Sequence, residues 1–203
     1  MEKFWDTCEK NFAHVELGRH LPGYEKLCEK WEQSFCKFLD FNGKTVIDYG
    51  IGGAYLGRYL FQKKGIHKYI GYDISQRSLN KAAENLENYK NSCLLLKCDN
   101  FYKNPEPADI FISQACIQHF PDENYLKKFL TCINKKKYTT VMLQYRHAPK
   151  TRFNQGDLMK ENVVVIRCHT NAEYILEIMT NYKLIYKSPI ESNRYQFCIF
   201  ELK

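Results

Sequence analysis

No two of the 9 cysteines stand at CxxC spacing. An odd, scattered set of this kind excludes a zinc ribbon, a thioredoxin-type centre and a disulfide frame. Several of them, including Cys93, Cys98, Cys116 and Cys198, sit inside apolar runs, where a reduced thiol packs as a small apolar side chain. No apolar stretch approaches the roughly 20 residues a membrane-spanning helix needs. The start, Met1-Glu2-Lys3-Phe4-Trp5-Asp6, lacks the pattern of a signal peptide. These absences lead to the expectation of a cytoplasmic protein without a membrane partner. Low-complexity segments, internal repeats and an inter-domain linker are also missing, so the 203 residues are expected to form one domain, 1–203. Arginine is scarce as well, with 7 Arg against 23 Lys. The lysines are spread along the chain, and the densest cluster, Lys135-Lys136-Lys137, follows a helical pattern whose C-terminus favours cations. The net charge of +7 therefore reads as a solvated surface, and nucleic acid is not the expected partner.

What is present is an alternation. Before residue 42, short helical patterns break at Leu21-Pro22-Gly23, and residues 24–39 place Leu27, Trp31, Phe35 and Phe38 on one helical face. From Lys44 onward, strand-like segments at 45–49, 68–72, 92–97, 108–113 and 139–145 alternate with helical patterns. The helices are expected at 55–63, at 76–89 after a Ser75 cap, and at 123–133 after an Asp122 cap. The connection at 101–106 is too short to be assigned a helix. Such alternation calls for a parallel sheet with helices on both faces. After a helix at 170–180, two strands at 183–188 and 194–202 are separated by only a few residues. That gap permits a hairpin but no parallel crossover, so the last strand is expected to run antiparallel.

The most telling stretch is Val46-Ile47-Asp48-Tyr49-Gly50-Ile51-Gly52-Gly53-Ala54. An apolar strand ends in an acidic residue and breaks into a glycine-rich turn, where a ligand can approach the main chain. A second acidic strand end, Tyr69-Ile70-Gly71-Tyr72-Asp73, follows at the distance expected for a nucleoside-binding βαβ unit. Gly43-Lys44-Thr45 resembles the end of a phosphate loop, but position 38 is Phe where that motif needs Gly, and a strand follows instead of a helix.

With these residues the chain resembles the class I S-adenosylmethionine-dependent methyltransferases from about Lys44 to Lys203. The resemblance rests on Asp48-Tyr49-Gly50-Ile51-Gly52-Gly53-Ala54 and on the terminal hairpin; Ala54 departs from the family, which often has a further glycine there. It implies an α/β, Rossmann-like, seven-stranded, mostly parallel sheet with an antiparallel C-terminal hairpin and helices on both faces. Residues 43–203 would form that core and residues 1–42 an N-terminal helical lid. The implied cofactor is S-adenosylmethionine, with S-adenosylhomocysteine as product. Gly50 and Gly52 would let the backbone pack on it, and Asp48 opens the motif. Asp73, with Ile74 beside it, would accept hydrogen bonds from the ribose hydroxyls; the plainer reading of Asp73 as a helix cap is weakened because Ser75 fills that role. Asp99-Asn100-Phe101 match the family position that reads the adenine edge, with Phe101 expected to stack, and an ordinary Asp-Asn turn is the alternative. Gln114 completes the implied cofactor-binding set.

The fourth strand and its exit read Ala108-Asp109-Ile110-Phe111-Ile112-Ser113-Gln114-Ala115-Cys116-Ile117-Gln118-His119. The Asp/Asn-Pro-Pro-aromatic turn of enzymes that methylate amino groups of bases is absent, and Cys116 lacks the preceding proline of C5-pyrimidine enzymes. What remains resembles small-molecule methyltransferases that place a histidine just beyond this strand. His119 is thus the candidate general base for a hydroxyl acceptor, with a purely structural role as the equal alternative. Gln118, Tyr145, Arg146 and Arg152 are candidate acceptor ligands, because 145–157 reads as a polar loop beyond the fifth strand and guanidinium groups suit phosphate or carboxylate. Tyr24, His14 and His20 are candidates from the lid. The expected partner is a polar, anionic small molecule, with a sugar or nucleotide-linked sugar preferred. No metal site is expected; Asp157 alone could contribute to one. An RNA or protein methyltransferase is the first alternative, and a non-catalytic binding or scaffold protein the second.

Overall fold

The computed structural model describes Asp6 and residues 23–158, 164–191 and 194–203, with the side chains of 155–158 and 164–166 outside the description. The chain divides into two compact units, residues 1–111 and 112–203.

In the first unit, β1 (Thr45–Tyr49), β2 (Lys68–Asp73) and β3 (Cys93–Lys97) are parallel and lie in the order β3-β2-β1. Both β1 and β2 read as nearly continuous apolar runs, as strands covered on both faces do, and almost all of their residues are buried. Preceding them is α1 (Tyr24–Gln33), whose Trp31 is buried. The expected helix after β1 forms as α2 (Tyr55–Tyr59) and widens into a π turn at Leu60–Lys64 that Gly65 ends with φ of 64°. Next comes α3 (Gln76–Asn85), capped as expected by Ser75, whose Oγ accepts from Ser78 N at 3.1 Å. A short helix, α4 (Cys98–Lys103), follows β3 directly. It occupies residues the sequence reading leaves unassigned, because one and a half turns carry too little periodicity to be recognised. Packing fixes it instead: Phe101 is fully buried among Tyr49, Tyr72, Tyr102 and Phe111 at centroid distances of 5.1–5.6 Å. The Asp109 carboxylate accepts from Thr45 N at 2.8 Å, and Asp109 N donates to Thr45 O at 3.0 Å. This pair aligns the start of β4 (Ile110–Ser113) with the start of β1.

In the second unit a single 3-10 turn, Ile117–His119, precedes α5 (Glu123–Lys136), whose Asp122 cap accepts from Tyr125 N at 2.8 Å. The strands are β5 (Thr140–His147), β6 (Arg152–Leu158), β7 (Val164–Thr170), β8 (Tyr182–Lys187) and β9 (Tyr195–Leu202), in the order β8-β9-β5-β7-β6. The closing pair β8 and β9 is antiparallel, and β9 runs antiparallel to β5. The expected polar loop at 145–157 is a correction: it contains the end of β5 and most of β6, which pairs antiparallel with β7, itself parallel to β5. Arg152-Phe153-Asn154 alternates polar and apolar, but flanking Lys, Asn, Gln and Gly hide the pattern. Between β7 and β8 lies α6 (Ala172–Ile178), capped by Asn171, whose amide also donates to the carbonyls of Ala148 and Pro149 at 3.1 and 2.9 Å.

The result is a mixed, mostly parallel Rossmann-like α/β fold with an antiparallel C-terminal pair, to which β6 and β7 add a hairpin. The eight cysteines among the described residues are free thiols. No helix among the described residues is long and apolar enough to cross a membrane.

Candidate active site

The glycine turn after β1 is fastened to the end of β2. Gly50 and Gly52 take the left-handed conformation, with φ of 85° and 52°, which glycine adopts without steric cost. Gly50 N and Ile51 N donate to Tyr72 O at 2.7 and 3.2 Å, and Gly52 N donates to Asp73 Oδ2 at 2.9 Å. The other carboxylate oxygen of Asp73 accepts from Ser75 N at 2.8 Å. Asp73 thus holds the turn with one oxygen and the start of α3 with the other. Among the described residues, a β-carbon at Gly52 would meet nothing within 4 Å. One side of the turn is therefore open to the described residues, and a ligand can lie against the main chain there.

Asp48, one strand over, is buried and accepts a hydrogen bond from the Tyr69 hydroxyl at 2.8 Å. Tyr69 reaches it because Gly57 in α2 has no side chain: a β-carbon there would lie 2.6 Å from Tyr69 Cζ. Burial pushes the Asp48 carboxyl up to about 7; the Tyr69 hydrogen bond opposes that rise and the nearby Asp73 charge adds to it. Burial likewise raises Asp73 to about 6, against the backbone N–H groups of Ser75, Gly52 and Ile74.

The remaining cofactor candidates of the first unit are spread over β2 and α4. Ile74 is half-buried, and its carbonyl accepts from Lys97 Nζ at 2.9 Å. Asp99 and Asn100 are exposed on the first turn of α4. Phe101, expected to stack on the cofactor, is fully buried, with its ring packed against Tyr49 and Tyr72. Tyr24 packs on α2, where its hydroxyl donates to Gln62 Oε1 at 3.0 Å and its ring lies 5.0 Å from the Arg58 guanidinium carbon. Asp6, within the expected lid, accepts from Ser75 Oγ at 2.7 Å. His14 and His20 lie outside the described residues, as does the side chain of Asp157.

In the second unit, Gln114 is half-buried after β4, followed by Ala115 at φ of 51°. Gln118 is buried, and its amide nitrogen donates to Ala115 O and, at 3.2 Å, to the Tyr195 hydroxyl; His119 Nε2 lies 3.4 Å from the same nitrogen. Arg146 stacks on Tyr195, with 5.2 Å from guanidinium carbon to ring centroid. The fully buried hydroxyl of Tyr145, expected to bind the acceptor, meets Gln196 Oε1 and Cys198 Sγ at 3.2 and 3.1 Å, on the face of β5 opposite Arg146. Arg146 and Arg152 are both opposite His169 in the strand register. The sequence reading missed Tyr69, Gly57, His169 and Tyr195; only strand register and close approach reveal them. Among the described residues no group of three or more His, Cys, Asp or Glu is placed to hold a metal ion.

A family model described as a methyltransferase domain matches residues 46–136. No curated protein matches the chain in sequence. The fold is similar to that of an S-adenosylmethionine-dependent methyltransferase from Clostridium acetobutylicum ATCC 824, with a TM-score of 0.65, 14% identity and coverage of 97% of this chain and 99% of that one. It is also similar to magnesium protoporphyrin IX methyltransferase (ChlM) from Synechocystis PCC 6803 with bound SAH, with a TM-score of 0.69, 13% identity and coverage of 98% and 96%. For the pyocyanin biosynthetic protein PhzM the TM-score is 0.68 and the identity 14%; the match covers 99% of this chain but only 61% of PhzM. At these identities the likeness is one of fold. The family model covers residues 46–136 of the chain, and the solved structures share its Rossmann-like fold.

Proposed function

We propose that the chain transfers a methyl group from S-adenosylmethionine to a hydroxyl of a polar, anionic small molecule in the cytoplasm, with a sugar or nucleotide-linked sugar as the preferred acceptor. The observation that carries this reading is the open left-handed turn at Gly52, clamped by the Asp73 carboxylate. Asp73 would accept hydrogen bonds from both ribose hydroxyls, while Gly50 and Gly52 let the main chain approach the amino-acid and ribose portions. Asp48, Ile74, Asp99, Asn100 and Gln114 complete the proposed cofactor set. When bound, the cofactor supplies a methyl group on a positively charged sulfur.

The chain's own part in the chemistry is positioning and proton removal. His119, on the 3-10 turn, is the proposed base that takes the hydroxyl proton of the acceptor, and Gln118, Arg146 and Arg152 orient that molecule. Orientation of this kind contributes several kcal/mol to lowering a barrier, and a placed base contributes roughly 100-fold or more. Residues 1–42 are the proposed lid, with Asp6 anchored on Ser75.

Incubating the chain with S-adenosylmethionine and a panel of nucleotide sugars, sugar phosphates and phenolic acids, read by mass spectrometry, tests the reading. A product gaining one methyl at oxygen is expected. Methylation confined to RNA or protein added to the same assay would contradict it.

A further inference from the structure

The second unit carries a row of side chains that cofactor binding leaves unused. Tyr195, Arg146, His169 and Arg152 are direct register partners across the adjacent strands β9-β5-β7-β6. Register partners project from the same face. Neighbouring strands lie about 4.8 Å apart, so the two arginines flank His169 by roughly that spacing on either side. Gln118 joins the row through the Tyr195 hydroxyl.

Three features of this row call for a ligand. Among the described residues no carboxylate pairs with Arg146, Arg152 or Arg194, whereas six lysines hold Glu partners at 2.6–3.4 Å. His169 is 6% exposed, and its Nδ1 has no partner among the described residues. Burial, followed by the charges of Arg152, Arg146 and Arg194, lowers its pKa, against a backbone hydrogen bond to His147. Gln118 is 2% exposed, and its Oε1 is likewise without a partner. The Ala115 carbonyl fixes which end of that amide is nitrogen, so the oxygen stays an acceptor awaiting a donor.

We propose that this row seats an oxyanion of the bound molecule, held by Arg146 and Arg152 across His169, while Gln118 Oε1 accepts from a hydroxyl or amine on the same molecule. That this molecule is the methyl acceptor rests on the function proposed above; the oxyanion seat stands on the row alone. Carboxylate and phosphate share the required chemistry, planar or tetrahedral oxygens that guanidinium groups grip with paired N–H donors.

The test is calorimetric titration of the full chain, first with S-adenosylhomocysteine and then with two probe pairs. Glucose 6-phosphate is compared with glucose, and 4-hydroxybenzoate with phenol. At least one oxyanion probe is expected to bind roughly tenfold or more tightly than its neutral partner, and the responding pair identifies phosphate or carboxylate. Arg152→Gln, at an exposed position, is expected to erase that difference and leave the affinity for S-adenosylhomocysteine unchanged. Equal binding of charged and neutral probes in both pairs overturns the seat, as does a preference that survives both Arg152→Gln and Arg146→Gln. Oxyanion preference without any S-adenosylhomocysteine binding supports the seat and removes the methyltransferase reading instead.

Discussion

Asp73 and Asp48 stand near the ends of neighbouring parallel strands, and both are almost wholly out of water. Burial moves them from the ordinary 3.8 to about 6 and about 7. The folded chain therefore holds protons that the unfolded chain has released, so their contribution to stability is greatest at low pH and falls as pH rises through these values. Cofactor binding is expected to run the other way, because only the carboxylate of Asp73 can accept from both ribose hydroxyls. Affinity for S-adenosylhomocysteine should rise with pH up to about 6, by as much as about tenfold per unit below that point. Titration calorimetry from pH 5 to 8 checks this; a flat profile would remove Asp73 from the ribose. Gly52 permits a separation of stability from binding. Gly52→Ala adds a methyl in open space on a backbone at φ of 52°. It should cost about 1–2 kcal/mol of stability, yet weaken S-adenosylhomocysteine binding well beyond that. For His119, the alanine variant should lower kcat by about 100-fold or more if the ring is the base. Turnover matching the wild type would assign it a structural role.

At the scale of elements, α2 lies against β2 through a contact that only glycine allows. Ordinarily alanine in a helix is favoured over glycine by about 1 kcal/mol. Gly57→Ala should nevertheless destabilise by about 1–3 kcal/mol, because its methyl would overlap the buried Tyr69 ring that holds Asp48. A raised melting temperature in this variant would contradict that packing. The same contact marks what the sequence leaves hidden. Asp48, Gly50, Gly52 and Asp73 stand out because each lies at the end of an apolar strand, where period and composition change abruptly. Gly57 and Tyr69 carry no such mark, since only their close approach in space gives them meaning. Most of β6 falls in the stretch 145–157 that the sequence presents as a loop, for a related reason: its polar residues conceal alternation, and its pairing through β7 to β5 depends on register. That register is also what aligns Arg146, His169 and Arg152. The closing pair β8 and β9 was legible because its short connection leaves no other geometry.

For the whole molecule, the net charge of +7 and the fold make separate statements. Six lysines hold Glu partners, Lys64, Lys127 and Lys187 among them, whereas Arg146, Arg152 and Arg194 pair with no carboxylate among the described residues. The proposal of S-adenosylmethionine as cofactor rests on the clamped glycine turn and on the methyltransferase-domain match over residues 46–136. Thermal unfolding of the chain with and without S-adenosylhomocysteine tests that claim most directly. At about 100 times its dissociation constant the product should stabilise the fold by about 2.7 kcal/mol. That corresponds to a rise of about 5–11 °C in melting temperature, which Asp73→Asn and Gly52→Ala should largely remove. An unchanged melting temperature at millimolar S-adenosylhomocysteine would contradict the account.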